Sequence, residues 1–170
     1  DPLSVSAQAQ EQALRKPSLL AGKLLFEQPL PHSNARACAT CHVLDEATTL
    51  RPESVVGRLR EHPDDPLFHP LDADDPNAEA LSFEHLKKGL IRVVLKLPDN
   101  MDVIDFEGRV ITSPERTIAV WRGVPSVADT AFSAPYQLDG RESTLEQQAQ
   151  GAITNHSEGG ETSKLVLTRI

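Results

Sequence analysis

Cys38-Ala39-Thr40-Cys41-His42 is a C-x-x-C-H run, and its two cysteines are the only ones among 170 residues. On one turn of helix, two thiols three residues apart can reach two vinyl groups on one porphyrin edge and form thioethers. The next side chain, His42, can then swing beneath the ring and offer the iron an imidazole nitrogen. Three other chemistries use similar residues. A thioredoxin-like C-x-x-C wants a preceding strand, whereas Pro29–Arg36 (PLPHSNAR) reads as a loop. A structural zinc site needs four ligands, which the cysteine pair and scattered histidines would have to supply. A local disulfide is the plainest option. Joint use of both cysteines and the adjacent histidine favours one covalent haem c, attached at Cys38 and Cys41 with His42 on the iron. Such thioethers are made after export, so the protein is expected in a periplasm or on an extracytoplasmic face.

The other axial position separates the possible activities. A Met or His there favours electron transfer, and an open position favours reaction with peroxide. Met101 is the only methionine and follows the turn Leu97-Pro98-Asp99-Asn100. It is either a loop ligand or a gap-filling hydrophobe. His156 falls at the end of a helix with Glu158 nearby; it is either an iron or distal-pocket residue or a cation at a helix C-terminus. His62 and His69 are expected to be solvated, His85 to lie on a surface helix, and His32 to touch at most the porphyrin edge. The run DADDPN (72–77) lacks the glycine and closing glutamate of a calcium loop and reads as a solvated acidic turn.

These residues need elements to hold them. Ser6–Leu14 reads as a short polar helix. A second follows Pro17 with an apolar stripe at Leu20, Ala21, Leu24 and Leu25, ended by Pro29 and Pro31. The spacing predicts a helix from Cys38 to about Ala47, a loop-rich insertion over about 51–77, and a helix from about Ala78 to Gly89. Ile91–Leu97, Gly108–Thr112 and Thr117–Trp121 read as strands of a small antiparallel element. Ser143-Thr-Leu-Glu146 is a capping-box pattern opening a helix to about Asn155. A last helix capped by Thr162 or Ser163 stops in mid-pattern at Ile170, so the natural chain is expected to continue. The start at Asp1, with no basic or apolar leader, reads as a mature chain or an excerpt. The fold class expected is mainly α: a single cytochrome-c-like domain over 1–170 around one haem c, with a small antiparallel β element around 91–121.

The formal charge of −8 argues against nucleic acid or an anionic membrane as the main partner, and no apolar run is long enough to span a bilayer. A basic protein or a small molecule fits better. Aromatic residues make up only 4% of the chain, thin for a core of this size, which suits a flat apolar cofactor filling part of the interior.

Two stretches carry a family resemblance. Ala21–Leu44 (AGKLLFEQPLPHSNARACATCHVL) resembles the entry helix and haem motif of bacterial di-haem cytochrome c peroxidases. Arg122–Glu158 is similar to their N-terminal, peroxidatic haem domain: Arg122, Pro125, Ser126 and Val127 match R-x-x-P-[ST]-V, and Asp139-Gly140-Arg141 matches the D-G-R turn. Thr144, Leu145, Glu146, Gln148 and Ala149 match T-L-E-x-Q-A, and Glu158 stands ten residues after Gln148. The resemblance implies a periplasmic oxidoreductase reducing peroxide with electrons from a small cytochrome or cupredoxin, with a second haem domain as a possible partner. It places Gln148 and Glu158 in the distal pocket as catalytic residues and counts Arg141 among those binding the cofactor. A carboxylate suits the proton transfer that peroxide cleavage needs, and an amide can orient the peroxide. The chain departs from the family in three ways. No histidine lies in Gly108–Trp121, Gln137 and Leu138 replace aromatics before D-G-R, and there is one C-x-x-C-H. These departures make His156 the preferred sixth ligand and Met101 the second. They also keep open an electron-transfer cytochrome with a six-coordinate haem and no peroxidase activity.

Overall fold

The computed structural model describes residues 19–31 and 33–154. The helices expected over Ser6–Leu14 and after Thr162 lie outside them. Among the described residues are four α-helices, several single 3-10 turns and one two-stranded sheet. Helix α1 is Leu19–Glu27, α2 is Cys38–Cys41, α3 is Pro52–Glu61 and α4 is Leu145–Thr154; β1 is Leu90–Lys96 and β2 is Thr117–Gly123. Helix outweighs strand, though turns and loops make up much of the rest. No helix among these residues is long and apolar enough to cross a membrane.

The two strands pair antiparallel, Leu90 opposite Gly123 through Lys96 opposite Thr117, close to the predicted limits. The third expected strand is reduced to a single bridge, Ile104 to Val110, in the arm between them. The expected 78–89 helix is also absent: only Leu86–Lys88 is helical, as a 3-10 turn. Asp74 explains the difference. Its carboxylate takes the Ser82 hydroxyl and the Glu84 and His85 amides, holding that chain as a turn. It also binds His85 Nδ1 at 2.7 Å, and His85 stacks on Trp121 with centroids 4.1 Å apart. His85 therefore keeps a partly exposed side chain, as expected of a surface residue, but lies at the start of a 3-10 turn and against the sheet rather than on a helix.

Burial alone would raise the Asp74 pKa. The Glu84 amide, the His85 imidazole and amide and the Ser82 hydroxyl outweigh it and hold the carboxyl below its ordinary range. The folded state then stays ionised where the unfolded chain takes up a proton, so this stability is present above about pH 4 and lost as pH falls further. Asp74→Asn is expected to flatten the decline of Tm between about pH 4 and pH 2, measured by circular dichroism. An acid limb as steep as the wild type's would overturn this.

The largest correction concerns 51–77. Rather than an irregular insertion, it opens with α3, where Pro52 occupies the first turn, as helix sterics favour. Glu46 receives the Arg51 amide at 2.8 Å, one of the backbone donors the helix start leaves over, and also takes the Ser54 hydroxyl. Leu67 and Phe68, then Asp72 and Ala73, follow on and just after two 3-10 turns. Leu50, Val55, Leu67, Phe68, Ala73, Phe83, Leu86 and Val124 form the core, with Phe68 edge-on to Phe83 at 5.5 Å. Half of those residues thus come from the expected loop. Gly89 closes the approach to β1 at φ 75°, where a Cβ would meet the Leu50 carbonyl oxygen at 2.6 Å.

Candidate functional site

The cysteine helix is a single turn. The His42 amide bonds the Cys38 carbonyl at 2.8 Å, and the chain then leaves helical geometry at His42 (φ −91°, ψ 77°). The predicted continuation to Ala47 is replaced by a 3-10 turn at Leu44–Glu46 and a tight return at Ala47 and Thr48. Both of these have positive φ, 54° and 59°. A left-handed β-branched threonine costs on the order of 1–3 kcal/mol and persists where surrounding bonds over-determine it.

The return brings the Thr48 carbonyl to 3.0 Å from His42 Nδ1. A carbonyl can only accept, so Nδ1 carries the proton and the neutral ring keeps its lone pair on Nε2. That is the tautomer an iron-binding imidazole needs, with its other nitrogen fixed by a backbone oxygen. Phe26 of α1 faces the same ring at 6.3 Å between centroids. Cys38 and Cys41 both stand half-buried on that one turn. The apolar helix α1, packed beside α2, buries only Ala21 and leaves Leu19 and Leu20 largely exposed. Two thiols on one helical turn and an oriented imidazole fit a covalently held haem. Cys38 and Cys41 would attach it, and His42 Nε2 would bind its iron. Among the described residues no three His, Cys, Asp or Glu side chains gather as a metal-holding group.

Two arginines fasten this turn to the 52–72 segment, and neither was singled out from the sequence. Arg36, two residues before Cys38, is buried with Asp72: Nη2 lies 2.6 Å from Oδ2, with both side chains 2% exposed or less. Its Nε and Nη2 also donate to the Pro66 and Leu67 carbonyls at 2.8 and 2.9 Å. Asp72 accepts the Arg92 amide of β1 at 2.8 Å, so one carboxylate joins the approach to the cysteine turn with the sheet. Arg58 of α3 donates to the Thr40 carbonyl at 2.8 Å while a two-pronged bond with Asp65 holds its guanidinium. The 72–77 run is therefore no solvated acidic turn at its start. His62 is exposed as expected, whereas His69 is half-buried and accepts the Leu71 amide on Nδ1. Burial, then the nearby Arg36 charge, pushes the His69 pKa down.

The remaining candidates are more dispersed. Gln148 is half-buried on α4, whose start is a capping box shifted one residue from the predicted one. Thr144 Oγ takes the Gln147 amide at 3.2 Å, and Gln147 Oε1 returns to the Thr144 amide at 3.3 Å. Arg141 is exposed and bonds Asp139 at 2.8 Å in a turn closed by the Tyr136–Glu142 bridge, with Gly140 at φ 69°. Met101 is exposed in the turn after β1, where Arg116 reaches the Pro98 and Met101 carbonyls. His32, His156 and Glu158 lie outside the described residues. Ser126 of the R-x-x-P-[ST]-V match docks on the turn behind His42: its Oγ donates to the Ala47 carbonyl at 2.7 Å.

Neither the comparison with curated proteins nor that with solved structures returned a match. A family model described as di-haem cytochrome c peroxidase matches residues 18–170, from just before α1 to the last residue. That span takes in the cysteine turn, its arginine anchors and the Arg122–Glu158 stretch together. The chain belongs to the di-haem cytochrome c peroxidase family.

Proposed function

We propose that the chain is a periplasmic c-type haem redox domain of the peroxidatic kind, reducing peroxide with electrons from a small cytochrome or cupredoxin. The observation that carries this reading is the cysteine turn with its oriented histidine: two thiols on one helical turn and an imidazole whose Nδ1 is bound to the Thr48 carbonyl. Family membership supports haem chemistry of this class. When bound, one haem c would supply the electron exchange and the Lewis-acidic iron that peroxide reduction requires.

The chain's own residues do the rest. Cys38 and Cys41 would fix the cofactor's position, and His42 would hold its iron through Nε2, with Nδ1 kept on the Thr48 carbonyl. Arg141 is a candidate for cofactor contact. Gln148 orients peroxide through its amide, and Glu158 moves a proton from one peroxide oxygen to the departing one. His156 is the preferred group for closing the sixth position, with Met101 second. A closed position would make the protein an electron carrier rather than a peroxidase.

The test uses the exported protein. Intact mass is expected to exceed the polypeptide by one haem, and the red colour should survive acid–acetone extraction. Cys38→Ala/Cys41→Ala should be colourless. A wild-type protein at bare polypeptide mass would end the proposal. A ferric iron that is high-spin and turns over peroxide supports the peroxidase; a low-spin iron indifferent to peroxide, cyanide and azide assigns the carrier.

A further inference from the structure

The turn that orients His42 is itself held from 78 residues away in sequence. Thr48 Oγ accepts the amides of Val127 at 2.8 Å and Ala128 at 3.2 Å, and lies 3.0 Å from Ser126 Oγ. Ser126 Oγ donates to the neighbouring Ala47 carbonyl and accepts the Ala128 amide at 3.1 Å. Both residues of the turn are in left-handed geometry, and the carbonyl facing His42 Nδ1 belongs to the residue whose hydroxyl is gripped. A loosened turn can rotate that carbonyl away from the imidazole without removing it.

We propose that the Thr48 hydroxyl and Ser126 are positioning residues: they clamp the Thr48 carbonyl against His42 and so set how strongly the imidazole donates to iron. The proposal rests on the reading of His42 as the iron ligand. A firm Nδ1–H···O=C bond raises ligand basicity and favours ferric iron. Weakening it favours the ferrous state and raises the reduction potential. The clamp also gives Ser126, in the R-x-x-P-[ST]-V match, a task on the side of the site where His42 lies.

The experiment compares the purified, haem-loaded wild type with Thr48→Val, Ser126→Ala and the conservative Thr48→Ser, by potentiometric titration and ferric EPR. Thr48→Val keeps the branched shape but loses the gripped oxygen; Ser126→Ala leaves Thr48 intact and serves if the first variant fails to mature. In Thr48→Val the ratio of reduced to oxidised protein at a fixed potential is expected to rise about three- to tenfold, tenfold being about 59 mV for one electron. Ser126→Ala should shift it in the same direction by less, and Thr48→Ser should restore the wild-type value. Potentials and EPR spectra that stay put in both loss variants while Tm falls would overturn the clamp and leave a structural tether. Intact mass on the same samples separates the two ideas: a wild type without covalent haem removes the parent reading and this one with it, whereas a loaded wild type with unmoved variants removes only this one.

Discussion

Arg36→Met is expected to destabilise the protein by about 3–5 kcal/mol, because it strands the Asp72 carboxylate in the interior with its guanidinium gone. Asp72 is 1% exposed and Arg36 5%, so water cannot readily replace the lost partner. The Pro66 and Leu67 carbonyls lose their donors as well. For a chain of this length the loss corresponds to a fall in Tm of roughly 6–20 °C, measured by thermal circular dichroism. The double variant Arg36→Met/Asp72→Leu should recover part of it, since removing both charges of a buried pair costs less than removing one. It should not recover all, because Asp72 also holds the Arg92 amide. A single variant within about 1 kcal/mol of wild type would show that the pair is wet and unimportant. Arg36 stands two residues before Cys38, so the same variant should also leave a larger fraction of exported protein without covalent haem.

Glu158→Gln is expected to lower kcat for peroxide reduction by about 10²–10⁴-fold, the range for loss of a positioned proton-transfer group. Glutamine preserves size and hydrogen bonding but cannot accept and return the proton. The reduction potential should remain near the wild-type value, because in the proposed mechanism Glu158 acts on peroxide and not on the imidazole that would bind iron. Stopped-flow turnover and a potentiometric titration on the same preparation would separate these effects. Turnover at the wild-type rate would remove Glu158 from the chemistry and favour the electron-carrier reading.

The two largest expected effects thus come from different sources. Glu158 was named from a linear match, ten residues after Gln148. Arg36 and Asp72 were legible only once the chain had folded. Neither has a neighbour-spacing signature, since the partners are far apart in sequence and a lone arginine before a motif looks like any surface arginine. Asp72 was even hidden by its company: among aspartates and prolines, a buried carboxylate resembles a solvated one. The helix expected over 78–89 failed for a related reason. Its residues have adequate helical propensity, but one side chain, Asp74, offered their amides a better bond than the helix did.

The amino-acid order alone determined the parts whose physics is local. Two thiols and an imidazole within five residues predict a covalent haem motif, the β-rich runs at 91–97 and 117–121 define a strand pair, and prolines 29 and 31 follow the end of the first described helix. Tertiary structure decided the rest. It turned the Asp/Pro-rich stretch into the scaffold of the cysteine turn, buried an ion pair beneath it, and brought Ser126 and Thr48 behind the histidine. Those contacts depend on which distant groups share a water-poor space, and a buried charge or a strained turn survives only where such groups meet.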